Sequence, residues 1–222
     1  MGSSRLPGKT LMKIGQLTLI EHVINRSQSI EGVDEYCLAT TFLPSDDLLV
    51  NFVKRKFPEI GIFRGDPQNV RSRFEKIGFS NNADIMLRVT ADDPFKDPKI
   101  ASECLTLLKV NRFDYINNYE PPCLPVGMDV ECFNFHAFVE YNQRSAKPDD
   151  VEHVTTALKN LTENKGNWYK EPIFTDVRLT VDYQTDLDFC TLVAEEISFG
   201  EHAQDYTWQH TINAIRKIRS RG

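Results

Sequence analysis

The residues best suited to chemistry in this sequence are two cations near the start and two aspartates far downstream. Arg5 and Lys9 lie in the opening run Met1-Gly2-Ser3-Ser4-Arg5-Leu6-Pro7-Gly8-Lys9-Thr10, where two glycines, two serines and a proline exclude regular structure. Such a loop leaves backbone amides free to face an anion, and with two cations it reads as a phosphate cradle. Its spacing is neither that of a Walker loop nor that of a dinucleotide fingerprint. A frayed terminus or tag remnant has the same composition, so that reading stands beside the cradle. Asp92 and Asp182 follow two strand-like runs, Asp84 to Val89 and Arg178 to Val181. At one edge of a parallel sheet they would converge as hard oxygen ligands for magnesium, which commonly takes one or two carboxylates and completes its shell with water and substrate phosphate. Aspartates at strand ends also cap the helices that follow, and that alternative remains open for both.

Positioning these four groups requires a sheet, and the hydrophobic periodicity supplies one. Leu17 to Ile30 has a helical apolar face, Glu35 to Thr40 reads as a buried strand, and Ser45-Asp46-Asp47 caps an amphipathic helix. Ile60 to Phe63 is a further short apolar run, followed by a helix over about Asn69 to Phe79. After the Asp84 to Val89 strand, a helix spans about Pro98 to Val110, and Phe113 to Asn117 is the next strand. Gly127 to Phe133 alternates as a half-buried strand should, which puts Asp129 and Glu131 on one face. That face is either turned to a ligand or simply polar and exposed. Helices are expected at about Asn134 to Arg144, Pro148 to Leu161, Asp186 to Ile197 and Tyr206 to Ile218. Strands alternating with helix-length connectors predict an α/β fold with a largely parallel sheet covered on both faces, where ligands bind at the carboxyl ends of the strands.

Composition narrows the function. The 222 residues suffice for one domain with a substantial core, and 41% hydrophobic with 26% charged residues is ordinary for a globular protein. No apolar run approaches the ~20 residues that cross a bilayer, so no membrane role is expected and the cytoplasm is the default location. Five scattered cysteines without a Cys-x-x-Cys pair argue against a disulfide framework or structural zinc. A net charge of -6 opposes nonspecific nucleic-acid binding. The basic end of the chain (Arg216, Lys217, Arg219, Arg221) reads as a solvated helix terminus.

Three stretches carry a resemblance to a known family. Ser3-Ser4-Arg5-Leu6-Pro7-Gly8-Lys9 resembles the substrate loop of the cytidylyltransferases that activate acidic sugars, closest to the spore coat polysaccharide biosynthesis type and the Kdo cytidylyltransferases. Arg88-Val89-Thr90-Ala91-Asp92-Asp93-Pro94 is similar to the family's Arg-x-Thr-x-Asp-x-Pro stretch. Thr180-Val181-Asp182-Tyr183-Gln184-Thr185-Asp186-Leu187 is similar to its Val-Asp-Thr-Pro-Glu-Asp-Leu stretch, with Tyr183-Gln184 in place of Thr-Pro. The resemblance implies one nucleotidyltransferase domain over residues 1–222, a three-layer α/β/α nucleotide-diphospho-sugar transferase fold of the glycosyltransferase-A-like type. In relatives an apolar first strand ending in Ala-Arg precedes the loop, so the fold expected for this chain is without that first strand.

It further implies transfer of CMP from CTP to a sugar, an acidic one, with release of pyrophosphate for cell-surface or spore-coat polysaccharide biosynthesis. By the same resemblance Asp92 and Asp182 bind the catalytic Mg2+, and Ser3, Ser4, Arg5 and Lys9 contact the nucleotide, Arg5 and Lys9 neutralising the leaving group. Arg71 and Arg73 fall near the base-binding region. Arg88, Asp129 and Glu131, the last two in Pro125-Val126-Gly127-Met128-Asp129-Val130-Glu131, face the sugar, as does His153 in Glu152-His153-Val154-Thr155. His153 as a packing or capping residue is the alternative. Relatives suggest a homodimer. Competing with an active enzyme are an idle nucleotide or sugar-binding homologue, the product of a late gene start, and a sugar-1-phosphate nucleotidyltransferase using another nucleotide.

Overall fold

The computed structural model describes residues 5–145, 151–197 and 206–221. The N-terminal loop passes through a 3-10 turn at Lys9–Leu11 into a short hairpin, β1 (Lys13–Ile14) and β2 (Leu17–Thr18), and then α1 (Leu19–Gln28). The first apolar stretch is thus split. Thr18 ends the hairpin and caps the helix, its hydroxyl accepting from Glu21 N while its own N–H donates to Glu21 Oε2 at 2.7 Å. Strand β3 (Cys37–Thr41) leads through α2 (Asp47–Lys56) to β4 (Gly61–Gly65), and the two strands pair in parallel, half-buried rather than buried. Helix α3 (Val70–Ser80), capped by Asn69, precedes β5 (Ile85–Arg88). Helix α4 (Pro98–Asn111) then connects to β6 (Tyr115–Asn117), β7 (Glu131–Asn134), α5 (Phe135–Arg144), α6 (Thr156–Leu161) and β8 (Lys165–Asn167), with α7 (Gln184–Glu196) and α8 (Trp208–Arg219) closing the chain.

The larger sheet has the order β5-β7-β6-β8, in which β6 and β8 are parallel and β7 runs against both its neighbours. Strands β5, β6 and β8 therefore share one direction. Neighbouring side chains feed opposite layers. Ile116 and Cys132 belong to the core with Ile100, Leu105 and Leu108 of α4, Cys190 and Val193 of α7 and Ile212 and Ile215 of α8. Tyr115 and Phe133 pack instead with Phe135 and Phe138 of α5 and Leu158 of α6. Helices on both faces of the sheet make the expected three layers.

Three expectations are corrected. The alternating run predicted over Gly127 to Phe133 is a strand only from Glu131, and it is buried on both faces because α4 and α5 cover it from either side. The helix predicted from Pro148 begins at Thr156 among the described residues. Val154 adopts φ +52°, an uncommon conformation for a β-branched residue, and Thr155 N donates to His153 O, so Glu152 and His153 lie in an irregular turn. The Arg178 to Val181 run forms a single bridge, Val126 to Arg178, rather than a ladder. Four of the five cysteines are buried and Cys37 is exposed, all as free thiols. No helix among the described residues is long and apolar enough to cross a membrane.

Candidate active site

The N-terminal loop is held by Leu6, which enters the main core, and by Gly8, whose φ of +74° starts the 3-10 turn that aims Lys9 inward. The first acid-bearing loop leaves the end of β5. The second is tied to it by the Val181 N–H, which donates to Asp92 O at 2.9 Å. Gly127 underlies both: at φ +99°, a Cβ there would lie 2.7 Å from Thr180 N. This glycine is needed for the approach of the 179–180 backbone.

The result is a compact charge cluster. Lys9 Nζ donates to Asp92 Oδ2 at 3.1 Å, to Asp182 Oδ1 at 3.0 Å and to Val181 O at 2.6 Å. Arg5 Nη2 lies 3.0 Å from Asp182 Oδ1 and its guanidinium 5.4 Å from the centre of the Tyr183 ring. Arg178, four residues before Asp182, pairs with its other oxygen. Burial pushes the Asp182 carboxyl up, but Lys9, Arg5 and Arg178 outweigh it and hold the group below its ordinary value. Ser3 and Ser4 lie outside the described residues.

Helix capping falls to other residues. Asp97 accepts from Ile100 N at 3.0 Å to start α4, and Asp186 accepts from the N–H groups of Asp182 and Tyr183, both at 2.8 Å, to start α7. Asp92 and Asp182 are thereby released from the capping role. Among the described residues no three His, Cys, Asp or Glu side chains group to enclose a metal. Two carboxylates converging on one cation nevertheless match the donor set of a magnesium ion that keeps water and substrate phosphate in its remaining positions.

Beside this cluster lies a cavity of about 120 Å³ lined by Arg88, Thr90, Asp93, Lys96, Tyr119, Asp129 and Glu131. Glu131 is saturated: Oε1 accepts from Tyr115, Tyr119 and Thr155, and Oε2 from Arg88 Nη1 at 2.9 Å. Burial raises its carboxyl, and Arg88 with the tyrosine hydroxyls more than reverses the shift. Asp93 accepts from Thr180 and Thr90; its burial dominates, pushing it up to about 6 against the attraction of Lys96. Burial also raises Asp129. Asp93, Lys96, Tyr119 and Arg178 were missed at the sequence level, and since 178–182 is not helical the i, i+4 spacing of Arg178 and Asp182 gave no signal for their pairing.

The structure thus brings Arg5, Lys9, Asp92 and Asp182 together and sets Arg88, Asp129 and Glu131 in the adjoining cavity. Arg71 and Arg73 sit apart on α3. Arg73 Nη1 donates to Ala39 O at 3.3 Å, and Arg71 Nε lies 3.7 Å from Glu75. The Nε atoms of both and Nη1 of Arg71 are buried without a hydrogen-bond partner. His153 is exposed, and only its neighbour Thr155 reaches the cavity, through Glu131.

A three-layer fold with paired acids facing a cationic loop at the strand ends defines a nucleotidyltransferase. The sequence model of the cytidylyltransferase family matches residues 1–207, and the chain belongs to that family. It is similar to the spore coat polysaccharide biosynthesis protein SpsF of Bacillus subtilis, 30% identical over 167 residues that cover 72% of this chain and 67% of that one. To the 3-deoxy-manno-octulosonate cytidylyltransferase of Escherichia coli it is 33% identical over 127 residues, 57% of this chain and 46% of the relative, so it spans about half the length of that enzyme. The structure of a cytidylyltransferase from Leptospira borgpetersenii superposes with a TM-score of 0.89 at 25% identity, over 99% of this chain and 92% of the other.

Proposed function

We propose that this protein transfers CMP from CTP to a hydroxyl of an acidic sugar, releasing pyrophosphate, in the synthesis of a surface or spore-coat polysaccharide. The observation that carries this reading is the meeting of Lys9 with Asp92 and Asp182 at 3.0–3.1 Å, which joins a phosphate-type loop to a two-carboxylate edge. In the reaction the sugar oxygen bonds to the α-phosphorus, the bond from that phosphorus to the bridging oxygen breaks, and pyrophosphate departs with the electron pair while the hydroxyl proton is released. No protein nucleophile is required, and catalysis consists of positioning and charge stabilisation. Arg5 and Lys9 bind the triphosphate and offset the charge that builds on the leaving group. Asp92 and Asp182 would hold Mg2+, which when bound supplies further positive charge to the phosphates. For Arg71 and Arg73, whose unpartnered N–H groups are buried on α3 apart from this cluster, a nucleotide role rests on the family resemblance.

The test is magnesium-dependent pyrophosphate release from CTP, UTP, GTP and ATP with a panel of acidic and neutral sugars. Turnover with CTP and an acidic sugar is expected, and a folded protein that turns over no pair ends the proposal. Sedimentation velocity checks the homodimer drawn from the family resemblance.

A further inference from the structure

The cavity beside the acids holds two cations and three carboxylates, a balance that at first favours a neutral or cationic ligand. The hydrogen bonds leave those charges in place but engage them unevenly, which leaves donors rather than acceptors open to a ligand. Both oxygens of Glu131 are occupied by Arg88, Tyr115, Tyr119 and Thr155, and both oxygens of Asp93 by Thr90 and Thr180. The cations are not used up. Lys96 has three N–H donors and gives one, to Asp129 O, while its nearest carboxylate oxygen, on Asp93, is 3.7 Å away and beyond hydrogen-bond reach. Arg88 spends only Nη1, on Glu131. Among the described residues Asp129 is the one acid of the three whose carboxylate accepts no side-chain hydrogen bond.

Lys96 is also built in. Its side chain is 4% exposed, its carbonyl accepts from the buried Arg26 Nε at 2.8 Å, and the next residue, Asp97, caps α4. An ammonium taken so far out of water with two donors unspent is costly unless something else receives them. The cavity holds many times the about 10–15 Å³ that one water requires. It starts one residue from Asp92 and, through Thr180, two from Asp182, so a ligand seated there can present a hydroxyl to the reacting phosphate.

Building on the proposed transfer to an acidic sugar, we propose that Lys96 and Arg88 together hold the acceptor's carboxylate in this cavity. Asp129 accepts from a neighbouring sugar hydroxyl, and Lys96 sets the preference for acids over neutral acceptors. Glu131 and Tyr119 are positioning residues that orient Arg88.

The test compares sugar acids (3-deoxy-manno-octulosonate and N-acetylneuraminate among them) with their methyl esters in the pyrophosphate assay. The wild type is expected to prefer an acid over its ester, with no mutation involved. Lys96→Met raises the KM for the acid about 10- to 100-fold, the range of a lost charge-assisted hydrogen bond, leaves the KM for CTP within about twofold, and abolishes the preference over the ester. Lys96→Arg restores part of it. A wild type that uses esters or neutral sugars as well as acids overturns the inference while leaving CMP transfer intact. So does a Lys96→Met variant that retains the acid preference. Absence of pyrophosphate with every acceptor overturns the transfer reaction itself, and the inference with it.

Discussion

Replacing Lys9 with methionine keeps the aliphatic stem and deletes the ammonium between Asp92 and Asp182. Breaking a buried ion pair costs about 3–5 kcal/mol when the stranded charge stays buried. Here Asp182 retains Arg5 at 3.0 Å and Arg178, and the Asp92 side chain is 29% exposed, so water recovers part of the loss. The expected destabilisation is therefore about 1–2 kcal/mol, a fall in Tm of roughly 2–8 °C for a chain of this size. Magnesium sharpens the expectation. In the variant the two carboxylates face each other with no cation between them, and about 10 mM Mg2+ acting on a Kd of about 1 mM returns roughly 1.4 kcal/mol without nucleotide. In the wild type the metal must first displace the ammonium, so the shift is smaller. Differential scanning fluorimetry at several Mg2+ concentrations measures both effects. A variant as stable as the wild type, or a wild type more responsive to Mg2+ than the variant, refutes the role of Lys9 as the counter-ion of this pair.

Asp92→Asn and Asp182→Asn each reduce kcat/KM for Mg2+-dependent pyrophosphate release by about 10²- to 10³-fold, as loss of a preorganised electrostatic group does; unchanged turnover in both removes the metal assignment. Gly127→Ala places a side chain at φ +99° and against the Thr180 backbone, so both stability and turnover fall, read by Tm and the same assay. His22 is 2% exposed and donates through Nε2 to Ile14 O at 2.8 Å, and burial lowers its pKa below the ordinary value. The unfolded chain therefore binds the additional proton first, and stability present above about pH 6.5 is lost as the pH falls below it. Urea midpoints at pH 7.5 and 5.5 should show the loss in the wild type and a smaller one in His22→Gln.

Much of the layered fold was legible because it rests on local signals. Apolar periodicity located the helices, and polar caps at Asn69, Asp97 and Asn134 start three of them with direct hydrogen bonds to the first turn. The same signals bear on function. Asp97-Pro98 is a cap followed by a proline at the first helical position, and Asp186 stands at the third position of α7. Read together, these leave Asp92 and Asp182 without capping work, a conclusion within reach of the sequence but not drawn from it. The reversal of β7 was not legible, since a strand buried on both faces between two neighbours loses the period that reveals orientation.

The cavity proposed for the acceptor was still less accessible, for a reason that follows from its construction. Glu131 is satisfied by groups 12, 16, 24 and 43 residues away in the chain, and no spacing rule connects them. Lys96 lies between the fully buried Phe95 and the capping Asp97, where a charge reads as a surface residue until Arg26 of α1 is seen bonding its carbonyl and Tyr206, just before α8, that of Pro94. The end of the site proposed to bind phosphate is built from short loops whose residue types suggest that role. The end proposed to hold the sugar is built from long-range contacts that consume some charges and leave others unspent, and that difference is set by folding. Family likeness therefore identifies the reaction more readily than the acceptor, and the unspent donors of Lys96 and Arg88 are where acceptor choice can be tested.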